Sequence, residues 1–179
     1  YKLSDGIENE IEEYLLGEKE IDDLPTHGKV GYVSANHNAV EDYVAFACST
    51  IDCRLDGMKI AVDCANGASY QTAFKALNKL GANVEAIHNT PDGININYKC
   101  GSTHMESLQA YVKSIGADVG IAFDGDADRM LAVDENGNLI DGDQIMAVCA
   151  QYMQTQGKLK QNTLVATVMS NLGLFIAGE

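Results

Sequence analysis

Met58-Lys59-Ile60-Ala61-Val62-Asp63, then Cys64-Ala65-Asn66-Gly67, then an amphipathic stretch from Ala68 to Leu80, Gly81, and Asn83 to His88 is the passage that decides the fold. The first run is short and apolar and ends at turn residues, which predicts a strand. Ala68 to Leu80 places Ala73, Phe74, Leu77 and Leu80 at helical spacing, and Gly81 is placed to close that helix. Asn83 to His88 reads as the next strand. Strand, helix and strand joined this tightly predict a βαβ unit with parallel strands and a right-handed crossover.

The same alternation continues on the carboxyl side. Thr103-x-x-Glu106 has the form of a capping box opening a helix to about Ser114. Asp118 to Phe123 and Met130 to Val133 read as strands, and Glu135 to Asn138 as a turn back into Leu139-Ile140. Asp143 is placed to cap a helix to about Gln156, and Thr163 to Val168 reads as a further strand. Towards the amino end, Ser4 can cap an acidic helix carrying Ile7, Ile11, Tyr14 and Leu15. Gly17 to Asn38 reads as a connector, and Val40, Tyr43, Val44, Ala47 and Ile51 share one face of a second helix. The predicted class is α/β: a three-layer α/β/α sandwich on a mixed, mostly parallel sheet, truncated at both ends. Residues 1–39 are expected to be the tail of a first domain and a connector, 40–138 a central domain, and 139–179 the opening of a third.

Composition narrows the function. A net charge of −14 argues against a nucleic-acid surface, which needs Lys and Arg to neutralise phosphates. An anionic substrate would have to be met by a local cation or a metal. No apolar run approaches the ~20 residues that span a bilayer. Cys48, Cys53, Cys64, Cys100 and Cys149 are odd in number and lack C-x-x-C spacing, so reduced thiols and a cytoplasmic location are expected.

The chemistry concentrates in Asp124-Gly125-Asp126-Ala127-Asp128-Arg129. Three carboxylates at alternate positions repel one another unless a cation joins them or one keeps its proton. Hard oxygen donors on a short loop at the carboxyl end of a strand suit Mg²⁺ or Ca²⁺ rather than zinc. An EF-hand loop would share the first three ligand positions, and Glu135 falls at its twelfth. Arg129 stands at the sixth position, where that loop requires Gly, and strand-like runs flank the segment instead of helices. A solvated acidic turn is the other structural alternative.

Ala122-Phe123-Asp124-Gly125-Asp126-Ala127-Asp128-Arg129 resembles the metal loop of the α-D-phosphohexomutases. Val62 to Ala68, Asn95-Ile96-Asn97, Cys100 to His104 and Val168 to Gly173 look like the bacterial phosphoglucosamine mutase branch of that superfamily, and the match runs the length of the chain. The resemblance implies four domains around a cleft: a phosphorylated serine nucleophile in the first, the metal loop in the second, a sugar-reading loop in the third and a phosphate-binding loop in the fourth. It implies interconversion of glucosamine 6-phosphate and glucosamine 1-phosphate through a bisphosphate. Asp124, Asp126 and Asp128 would hold Mg²⁺, and Arg129 would contact phosphate through its planar donor fork; a salt bridge to a neighbouring carboxylate is the equal alternative for Arg129. Glucose or mannose phosphates, or a non-catalytic metal-binding module, are the competing functions. The expected partner is a phosphosugar, with no nucleic acid and no membrane, and homo-oligomerisation is left open. Ala127 stands where Gly is common in the family, which matters only if the position needs a positive φ.

Ser34, in Val33-Ser34-Ala35-Asn36-His37-Asn38, is rejected as the nucleophile because its following residues depart from the Ser-His-Asn context. The nucleophile is expected outside the chain, so these residues alone are expected to be inactive. Asp63 and Asn66 read first as caps of the following helix and second as cleft residues. Ser102, Thr103 and His104 could meet phosphate, although the capping box already accounts for Thr103. His27, His37 and His88 read as surface or structural.

Overall fold

The computed structural model describes residues 2–178, which divide into two compact units on either side of residues 36 and 37. In the first unit, helix α1 spans Asp5–Leu15 and a single 3-10 turn spans His27–Lys29. The Ser4 carbonyl accepts from the Ile7 and Glu8 amides at 2.9 and 3.0 Å, but its hydroxyl caps nothing. The expected side-chain cap is therefore absent, and α1 buries no residue. Ser34 lies in exposed coil.

The second unit is built on a five-stranded sheet. Its strands are β1 (Lys59–Asp63), β2 (Asn83–Ile87), β3 (Val119–Phe123), β4 (Met130–Asp134) and β5 (Leu139–Ile140), in the order β2-β1-β3-β4-β5. β1 pairs parallel with both β2 and β3, whereas β3–β4 and β4–β5 are antiparallel. The two parallel pairs require crossovers, supplied by helix α3 (Thr72–Lys79) and helix α4 (Glu106–Ile115).

Alternation along the strands sorts the core into two layers. Ile60, Val62, Val84, Val119, Ile121 and Phe123 point to one face, where Ala73 and Leu77 of α3 cover them. Ala61, Ala122 and Val133 point to the other, against Met105, Leu108 and Val112. Leu108 and Val112 are fully buried, worth about 1.5–3 kcal/mol each in transfer free energy. Gly120 allows this close approach, since a Cβ there would meet Val112 Cγ2 at 2.6 Å. Helix α2 (Ala39–Ser49) adds to the α3 side: Val44 is buried and the Cys48 thiol donates to the Ala76 carbonyl at 3.5 Å.

Four local expectations fail for identifiable reasons. The stretch from Ala68 begins as a 3-10 turn (Ala68–Tyr70), and only Thr72–Lys79 is α-helical. Thr103 closes a separate 3-10 turn and His104 is non-helical (φ −143°, ψ 78°), so α4 starts at Glu106 without the Thr103 capping box. Helix α5 (Gly142–Thr155) is capped by Asp141, not Asp143. Gln144 N donates to Asp141 Oδ1 and Asp141 N donates to Gln144 Oε1, both at 2.8 Å. Asp143 instead accepts from the Asn171 amide at 2.6 Å, just before helix α6 (Leu172–Ala177). Thr163 to Val168 forms no strand, because among the described residues no neighbour pairs with it.

No helix among the described residues is long and apolar enough to cross a membrane.

Candidate metal and phosphate site

The carboxyl ends of β1, β2 and β3 emerge side by side, and their loops interlock. From β1, the Ala68 amide donates to the Gly125 carbonyl at 2.8 Å, joining the first loop to the acidic one. From β2, the Asn97 amide donates to the Ala65 carbonyl at 2.9 Å, and Asn66 N donates to the His88 carbonyl at 2.6 Å. Gly125 sits between these segments: a Cβ there would meet Asn97 Nδ2 at 2.6 Å and Ile96 Cδ1 at 2.8 Å. Backbone strain gathers here, with positive φ at Ala65, Asn66, His88, Asn97, Lys99 and Ala127.

The three aspartates differ in environment. Asp124 is 3% exposed, whereas Asp126 and Asp128 are exposed. The Asp124 carboxylate accepts from Arg129 N at 3.2 Å and from Arg129 Nε at 2.9 Å, with NH2 of the same guanidinium at 2.8 Å. Desolvation pushes the Asp124 pKa up, but these bonds and the guanidinium charge outweigh it and hold the carboxyl below the usual carboxylate value. Arg129 also lies 3.7 Å from Asp128 Oδ1, and its side chain is 75% exposed. The salt-bridge alternative for Arg129 is thus present in the structure. The three carboxylates are not gathered into a metal-ready cluster in this structure. Ala127 adopts φ +59°, so this position does use the left-handed region. The donor set still fits a hard cation: three carboxylates on one short loop, two of them exposed.

Asp63 and Asn66 cap no helix. Asp63 is fully buried; its Oδ1 accepts from Ala65 N at 2.8 Å, and its Oδ2 accepts from Gly101 N at 3.0 Å and lies 2.9 Å from His88 Nδ1. Asn66 Oδ1 accepts from the Thr90 amide at 3.1 Å. Both side chains fasten loops together, because each sits where three chain segments with unpaired amides meet. His88, read as surface or structural, meets Asp63 as part of this fastening. All five cysteines are free; the Cys64 thiol is pushed up to about 11, chiefly by burial, and is no nucleophile. Sequence reasoning missed the grouping of Asp63, His88 and Cys100, whose ligand atoms lie within 4.8 Å of one another. Their separations of 25 and 12 residues carry no ligand motif.

The family model for phosphoglucomutase/phosphomannomutase, alpha/beta/alpha domain II, matches residues 38–137, more than half of the chain. The chain belongs to the phosphoglucomutase/phosphomannomutase family. The model for domain III of that family matches residues 141–179. A phosphoglucosamine mutase from Clostridium acetobutylicum is 56% identical over 177 residues, covering 99% of this chain and 40% of that protein. One from Acetivibrio thermocellus is 58% identical over 179 residues, again covering 40% of the relative. The chain therefore spans about two fifths of the length of the curated relatives it matches. A crystal structure of a phosphoglucomutase/phosphomannomutase family protein from Burkholderia thailandensis superposes with a TM-score of 0.65. It is 24% identical and covers 87% of this chain and 33% of that one, and it supports the fold.

Proposed function

We propose that these residues supply the metal loop of a phosphoglucosamine mutase that interconverts glucosamine 6-phosphate and glucosamine 1-phosphate in the cytoplasm. The observation that carries the reading is the Asp124–Arg129 loop, held at the carboxyl ends of a parallel strand pair where open α/β sheets bind ligands. Identity of 56–58% along this chain to two fifths of phosphoglucosamine mutases supports that substrate over glucose or mannose phosphates.

Asp124, Asp126 and Asp128 would hold Mg²⁺, which when bound offsets negative charge on a phosphoryl group. Asp126 and Asp128, being exposed, offer oxygens without displacing any core contact. Asp124 would offer the cation its remaining acceptor sites beside the bonds from Arg129, whose guanidinium, 75% exposed, would be open to phosphate oxygens. Domain boundaries near 39 and 138 accompany this reading, with the serine nucleophile supplied by a first domain.

Calorimetric titration of Mg²⁺ tests the ligand set. The chain should bind one ion, and Asp126→Ala should abolish the heat; unchanged binding in the variant would sink the assignment. In a coupled mutase assay this chain should show no turnover, and activity above background would place the nucleophile within it.

A further inference from the structure

Asp63 at the end of β1, His88 just after β2 and Cys100 before α4 each offer one ligand atom, and all three atoms lie within 4.8 Å of one another. We propose that this cluster is a second metal site, for a borderline-soft divalent cation of the zinc class, ligated by the Cys100 thiolate, the His88 imidazole and an Asp63 oxygen, with a fourth position open.

The donor set decides the metal. Sulfur, nitrogen and one carboxylate suit Zn²⁺, Co²⁺ or Cd²⁺, whereas Mg²⁺ prefers the all-oxygen aspartate loop. Asp63 and Cys100 are fully buried, while the His88 side chain is 32% exposed and gives the cluster a side open to solvent. The carboxylate is positioned without help from His88, because Ala65 N and Gly101 N donate to its two oxygens at 2.8 and 3.0 Å. His88 is aimed by its backbone, at φ +47°, an uncommon conformation for a residue with a Cβ, and its carbonyl is held by Asn66 N.

Charge argues the same way. Among the described residues no lysine or arginine forms an ion pair with the buried Asp63; besides two backbone amides, the partly exposed His88 ring is its partner. A buried carboxylate calls for compensation that a divalent ion supplies. The Cys100 sulfur has one long polar contact, Asn66 Nδ2 at 4.0 Å, so few bonds are lost when it turns to a metal. Binding releases the thiol proton to solvent and leaves sulfur as thiolate.

Co²⁺ titrated into the reduced chain with Mg²⁺ in excess tests this. One equivalent should bind with a thiolate-to-cobalt charge-transfer band and tetrahedral d–d bands, and Zn²⁺ should displace it. Cys100→Ala should remove the charge-transfer band, and His88→Gln should weaken binding by about 10-fold or more. No band in the parent chain, a band that excess Mg²⁺ suppresses, or a band that survives Cys100→Ala would overturn the proposal. His88 is partly exposed, so His88→Gln decides the matter if Cys100→Ala does not fold: undiminished Co²⁺ affinity there refutes the site.

Discussion

Adding one methyl at Gly67 should pry the acidic loop from the sheet. Gly67 has φ −111°, a backbone any residue accepts, so the effect of Gly67→Ala comes from contact alone. The new Cβ would meet Gly125 Cα at 2.6 Å and Gly125 C at 2.8 Å, with the Gly125 carbonyl oxygen closer still. These are backbone atoms, and no rotamer change relieves them. Overpacking of this kind costs about 1–3 kcal/mol. Separating the loops also breaks the hydrogen bond from Ala68 N to Gly125 O at 2.8 Å, worth about 1 kcal/mol more. The sum is about 2–4 kcal/mol. With a urea m-value of about 1–3 kcal/mol/M, the unfolding midpoint should fall by about 0.7–4 M. Mg²⁺ affinity should fall with it, because Gly125 lies between Asp124 and Asp126. A midpoint within about 0.2 M of the parent chain, with Mg²⁺ binding intact, would refute the idea that the two loops are clasped at these glycines.

Ala127→Gly should raise stability by about 0.5–1 kcal/mol. A left-handed residue with a Cβ costs about 1–2 kcal/mol, of which the extra unfolded-state entropy of Gly takes back part, and thermal melts in Mg²⁺-free buffer measure the balance. A lower melting temperature would mean that the methyl makes a contact that matters. Arg129→Met should make the protein less resistant to acid. Asp124 has a folded-state pKa held below its unfolded value, so its contribution is present above the unfolded value and is lost as pH falls through the folded one. Without the guanidinium that lower bound moves up, and the acid-unfolding midpoint followed by circular dichroism should rise; an unmoved midpoint would show that the pair contributes nothing.

Local signals were read well where they act within one element. The βαβ unit from Met58 to His88 was visible because an apolar run, turn residues and helical spacing each depend on near neighbours. The chain belongs to the expected family, and the family carries the expected α/β fold. Caps were read less well, and for a common reason. Thr103 and Asp143 each have the right chemistry, but a cap depends on the φ/ψ of its own residue and its neighbours. His104 is non-helical, and Asp143 already lies in the first turn of a helix capped by Asp141.

By itself the sequence determined an acidic loop at a strand end, free thiols and the layered α/β class, since composition, spacing and periodicity are local properties. Only the tertiary structure decided what each aspartate does. Asp124 is buried against Arg129 while Asp126 and Asp128 stay exposed, because the loop is clamped from both sides by Gly67 and Asn97. The meeting of Asp63, His88 and Cys100 was equally beyond reach of the sequence. Parallel pairing of β1 with β2 aligns Asp63 with Ile87 and delivers His88 beside it, and that register is set by core packing rather than by spacing along the chain.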